Sequence, residues 1–163
     1  MSFRRIASLF VVAACGWMAL AAQAQVPQYG PSVTYDQARK ALAGAIADAK
    51  RQNLPMAVAV VDTAGQLVAF ERMDNTQTAS TAVAQDKAVS AAMYRRPTKA
   101  FQDLVAGGGV GLRVLTLRGA TAVEGGLPLT VDGKIIGAIG VSGGSSEQDG
   151  VVAKAGADAM AAK

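Results

Sequence analysis

The chain has 163 residues, 16 Lys and Arg against 12 Asp and Glu, and a formal net charge of +4. It holds a single cysteine, Cys15, and no histidine, which excludes internal disulfides, Ser-His-Asp and Cys-His catalysis and the common zinc sites. Aromatic residues make up 5% and the basic ones are scattered, so a nucleic-acid surface, which needs a basic face and stacking rings, is not expected.

Residues 1–24 read as an export signal. "MSFRR" is a short basic start, "IASLFVVAACGWMALAA" a continuous apolar run, and "AQA" sets small residues at Ala22 and Ala24 for cleavage after Ala24. The run is short for a spanning helix. "VAAC" resembles a lipoprotein box that would place a lipid on Cys15, but apolar residues continue past it to Leu20 and Ala22. The expectation is a periplasmic or secreted protein with no membrane insertion after cleavage. Arg4 and Arg5 leave with the signal, so much of the basicity belongs to it. The remainder is long enough for one domain with its own core.

Residues 25–33 form an extended lead-in, because Pro27, Gly30 and Pro31 discourage helix. Thr34 and Gln37 make a capping box for a helix to about residue 53, with Ala38, Leu42, Ile46 and Ala49 as its apolar stripe. "MAVAVVD" (56–62) is apolar on both faces, hence a central strand. "TAG" turns the chain and "QLVAFERM" (66–73) returns antiparallel. A second helix covers about 79–94. Pro97 interrupts it, and Thr98 is placed to cap a third helix, "KAFQDLVA". After "GGGVG", "LRVLTL" (112–117) and "LPLTV" (127–131) are short candidate strands, and Asp132-Gly133 makes a hairpin into "IIGAIGVSG". The last helix spans about 146–161, with a Ser145/Gln148 capping box and Glu147 and Asp149 in its first turn. The order α-β-β-α-α-β-β-β-α, linked by hairpins, predicts a single α+β domain (34–163) whose antiparallel sheet of about five strands is flanked by helices.

The glycines of "GAIGVSGGSSEQDG" (137–150) form no phosphate loop. No Lys-Ser or Lys-Thr follows them, and Glu147 and Asp149 occupy the helix start that a phosphate would need. Ile136, Ala138, Gly140 and Ser142 share one strand face that tapers to almost no side chain. That marks close approach by another element, and the alanine-rich last helix is the expected neighbour.

"AVVDTAGQLVAFERMD", "DKAVSAAMYRRPT", "EGGLPLTVDGKIIGAIGVSGG" and "EQD" occur together and in order. In these residues the chain resembles the GlcG/HbpS family, also found as the C-terminal domain of PduO-type proteins. The resemblance runs from about Ala38 to the C-terminus. It implies a profilin-like antiparallel α/β domain that assembles into homo-oligomers, binds haem, and in exported members serves redox sensing beside a membrane sensor protein. Some relatives ligate haem iron through histidine, which this chain lacks. The family threonine associated with haem matches Thr98. Tyr94, Met73 and Met93 are the other candidate axial ligands. Arg95, Arg96 and Lys99 are candidates for the propionates. Each residue also has an ordinary reading: Thr98 as a helix cap, the methionines as core, the basic residues as a solvated turn. Lys87 reads as a local salt-bridge partner of Asp86 or as a pocket residue.

Three functions follow. The first is an exported binder of haem or another tetrapyrrole. The second is an enzyme or accessory protein acting on a small organic acid, for which Asp62, Glu71, Asp74, Asp86 and Glu124 are the available carboxylates, Glu71 and Asp74 needing burial to act as bases. The third is an oligomeric interaction module that binds no ligand.

Overall fold

The computed structural model describes residues 26–162; the signal segment and Cys15 lie outside them. The lead-in runs extended and pairs Tyr29 with Ile135 in an isolated bridge. Helix α1 (Tyr35–Arg51) begins at the expected capping box, where the Gln37 amide donates to Thr34 Oγ1 and the Thr34 amide to Gln37 Oε1. Its stripe of Ala38, Leu42, Ile46 and Ala49 is buried. The chain leaves it through Asn53, a left-handed residue at φ 54°.

Four strands form one antiparallel sheet: β1 (Ala57–Asp62), β2 (Leu67–Arg72), β3 (Gly126–Val131) and β4 (Lys134–Ser142), in the order β2-β1-β4-β3. The sheet is therefore one strand short of the expected five. The missing strand is "LRVLTL", which lies in a 3-10 helix (Gly109–Thr116) with Val110, Leu112 and Leu115 exposed. Gly111 explains this. It packs so tightly on the backbone of Leu104 that an added Cβ would collide with the Leu104 carbonyl. The segment is thus folded back on the preceding helix and cannot reach a sheet edge. Pro128, which has no N–H, sits in edge strand β3, the place a sheet tolerates proline.

Helices cover both faces. α1 and α4 (Ser146–Ala161) pack with Val58, Val60, Ile139 and Val141 in the larger core. α2 (Ser80–Tyr94) lays Ala84, Ala88, Ala91 and Ala92 on Ala57, Ala59, Val61 and Ala138 of the other face. The small-residue face of β4 is accordingly closed by α2, not by the terminal helix. A Cβ on Gly140 would strike the Ala84 carbonyl and lie 2.5 Å from the Ala88 amide. α4 instead meets α1, with Gly156 so close that a Cβ would lie 2.7 Å from the Ala41 carbonyl. α3 (Lys99–Ala106) sits beside the 3-10 helix. Among the described residues no helix is long and apolar enough to cross a membrane.

Candidate functional site

The site grows from one misplaced charge. Lys87 stands on the alanine stripe of α2, between Ala84, Ala88 and Ala91. A cation there must find a partner inside the protein or leave the core. It does not pair with the adjacent Asp86, which is exposed. It reaches across the end of the sheet, donating to the Asp149 carboxylate in the first turn of α4 at 2.6 Å and to the Val141 carbonyl at 3.1 Å. The two side chains are 1% and 4% exposed. The second Asp149 oxygen accepts the Gly144 amide at 3.0 Å. Burial pushes the Asp149 carboxyl above its ordinary value, against the opposing pull of Lys87 and the Gly144 and Gly143 amides. Asp149 is therefore more than a helix-start charge; it is one half of an internal ion pair.

A double glycine closes over this pair. Gly125 has φ 125°, a conformation open to glycine, and a Cβ there would lie 2.8 Å from both Lys87 Nζ and Asp149 Cβ. Its neighbour Gly126 is clamped by Thr98: the Thr98 amide donates to the Gly126 carbonyl at 3.0 Å, and the Gly126 amide donates to Thr98 Oγ1 at 2.9 Å. Thr98 is fully buried and makes no side-chain cap on α3. Its hydroxyl accepts the buried Gly126 amide, and this replaces the expected capping role.

On the outer side of this glycine wall lies a cleft of about 470 Å³, within the usual range for small-molecule sites. Leu127 and Pro128 of β3 face Ala153, Ala157 and Met160 of α4 across it. Its charged groups are Lys99, Glu124, Lys154 and Asp158. Lys99 is held by Asp103 at 2.7 Å, and that hydrogen bond raises its pKa. Lys154 is held by Asp158 at 2.6 Å. An apolar floor with ammonium groups at the rim suits a flat amphipathic ligand with acidic arms, so these residues fit a haem-like group. Among the described residues no cluster of three or more metal-ligating side chains occurs.

Of the residues singled out from the sequence, Lys87 and Thr98 build the wall, and Lys99 and Glu124 line the cleft. The rest lie elsewhere. Tyr94 donates to the Arg118 carbonyl and meets Phe101 edge-on at 5.1 Å, with Arg96 over the same ring. Arg95 lies over Tyr29, and Met93 is exposed near the β1–β2 turn. Met73 packs on the larger core. Asp62 caps the β1–β2 turn through the Ala64 and Gln66 amides. Glu71 and Asp74 are exposed, so the burial that general-base chemistry would require of them is absent. Sequence reasoning missed the Lys87–Asp149 pair and the contribution of α4 to the cleft; a lysine inside an alanine stripe was the available signal.

Comparison with known proteins agrees with this architecture. The model of the family described as haem degrading protein HbpS-like matches residues 33–158. Protein GlcG of Escherichia coli strain K12 is 40% identical over 95 residues, 58% of this chain and 69% of GlcG. The crystal structure of a PduOC:heme complex is 28% identical, covering 78% of this chain and 94% of that one at a TM-score of 0.71. A double mutant of Streptomyces reticuli HbpS is 27% identical, covering 94% and 97% at a TM-score of 0.73. With the match extending from the end of the lead-in almost to the end of α4, the chain belongs to the HbpS-like family.

Proposed function

We propose that this is an exported protein that binds haem or a related tetrapyrrole in the cleft between β3 and α4. The observation that carries the reading is the apolar cleft with an ammonium group on each side, in a chain of a haem-associated family with a haem-bound structural relative. Leu127, Pro128, Ala153 and Ala157 exclude water from the faces of the macrocycle, while Lys99 and Lys154 exchange their present partners for its carboxylate arms. When bound, haem supplies a redox-active iron. Lys87 and Thr98 act as positioning residues that hold the glycine wall. The sequence offers iron no histidine, and the donor in this reading is an oxygen or sulfur side chain.

The working unit in this reading is a homo-oligomer. Leu104, Val110, Leu112 and Leu115 are exposed on α3 and the 3-10 helix, an apolar surface that a second copy covers. As an exported haem binder, the oligomer serves redox or haem sensing as an accessory to a membrane sensor protein.

The test is a hemin titration of residues 25–163, followed by absorbance and gel filtration. A saturable Soret band that co-elutes with the protein supports the reading. A flat titration on a folded sample overturns it.

A further inference from the structure

One group in the cleft lacks a partner. The rim lysines and aspartates are consumed in pairs, Lys99 with Asp103 and Lys154 with Asp158. Glu124 differs. Its backbone amide is fixed by Gln102 Oε1 at 2.8 Å, yet among the described residues its carboxylate takes part in no hydrogen bond and no ion pair. The carboxylate lies against Gly150, close enough that an added Cβ would collide with Oε1 and approach Cδ to 2.9 Å. Gly150 thus makes room for a half-buried carboxylate to rest on the first turns of α4 while lining the cleft. Solvent still reaches this carboxylate, which leaves it free to take a partner that enters the cleft.

The remaining donors in the cleft are few. Met160 offers a soft thioether at the edge of the core; Lys99 and Lys154 are ammonium groups with no lone pair to give a metal, and in the reading above they serve the carboxylate arms. Ferric iron is a hard centre that favours an anionic oxygen over a thioether. Resting on the haem-binding reading above, we infer that Glu124 is the protein ligand to ferric iron in the cleft, taking the place of histidine. Its negative charge offsets part of the charge of the ferric centre, and Gly150 is the residue that lets it lie there.

The experiment compares hemin with iron-free protoporphyrin on the wild type, Glu124→Gln, Gly150→Ala and Met160→Leu. Binding is followed by absorbance, and the ferric centre by electron paramagnetic resonance. Loss of an iron-binding group costs metal affinity about tenfold or more. Glu124→Gln is therefore expected to weaken hemin by at least about tenfold and to change the ferric signal, with protoporphyrin binding and the urea midpoint unchanged. Gly150→Ala is expected to alter the ferric signal in the same direction, and Met160→Leu to leave it as in the wild type. Equal weakening of hemin and protoporphyrin in Glu124→Gln, or an unaltered ferric signal, overturns Glu124 as the ligand while haem binding stands. A ferric signal lost in Met160→Leu but kept in Glu124→Gln overturns it in favour of sulfur. Failure of the wild type to bind hemin overturns the haem reading, and this inference with it.

Discussion

Replacing Lys87 by methionine keeps the length and apolar stem of the side chain and deletes its charge. Asp149, 4% exposed, is then left as a buried carboxylate with the Gly144 amide as a remaining donor. Breaking a buried pair from one side costs about 3–5 kcal/mol, a large share of the roughly 5–15 kcal/mol that holds a domain together. With a urea slope of about 2 kcal/mol per molar, the unfolding midpoint of Lys87→Met falls by about 2 M. The companion variant Lys87→Met/Asp149→Leu removes both charges, and its loss is expected to be smaller than the sum of the two single losses. Acidity gives a second check. Burial already raises Asp149, and removing Lys87 raises it further, so folded Lys87→Met holds a proton that the unfolded chain releases. Its stability relative to wild type therefore falls as pH rises through the ordinary carboxylate range, and the deficit is greatest near neutrality. A single variant that loses under about 1 kcal/mol, or a double variant that loses the full sum, would refute an internal pair of this kind.

Thr98→Val removes the acceptor of the buried Gly126 amide and is expected to cost about 1–3 kcal/mol in urea unfolding, whereas Thr98→Ser retains most of the stability; equal losses would point to packing instead. Gly140→Ala drives a methyl into the backbone of α2 at Ala84 and Ala88, so a loss of about 1–3 kcal/mol is expected by the same assay. Glu147 is exposed, and hydrogen bonds from its own backbone amide and from Ser145 lower its pKa. The stabilisation it provides is full above the ordinary glutamate range and disappears as pH falls through the lowered folded value. Glu147→Gln should therefore flatten the acid limb of the thermal-stability profile, and an unchanged limb would contradict the assignment.

The local elements were legible because their signals are local. Both capping boxes, Thr34 with Gln37 and Ser145 with Gln148, close as the residue spacing demands, and the doubly apolar β1 is central. What failed depends on contacts distant in sequence. The run at 112–117 is short and apolar enough to read as a strand, but its place is decided by Gly111 against Leu104. Thr98 stands where a cap belongs, but a buried amide 28 residues away takes its hydroxyl. Lys87 and Asp149 are separated by 62 positions; composition shows the odd lysine but not the acid that answers it. The cleft was legible only in fragments, since Lys99 and Glu124 come from one part of the chain and its facing wall from α4.

The position of the ion pair has a consequence for the cleft. Lys87 belongs to the helix on one face of the sheet and Asp149 to a helix on the other, so their bond ties the two layers together at the start of β3. Gly125 and Gly126 cross this point with the pair behind them and the cleft in front. A side chain at residue 125 would meet Lys87 Nζ and the Val141 carbonyl, 2.8 and 2.7 Å from its Cβ. The wall could admit it only by moving outward, which would narrow the cleft and uncover the pair together. The internal charge balance and the shape of the ligand site are thus set by the same few atoms, and residues that never touch a ligand govern whether there is room for one.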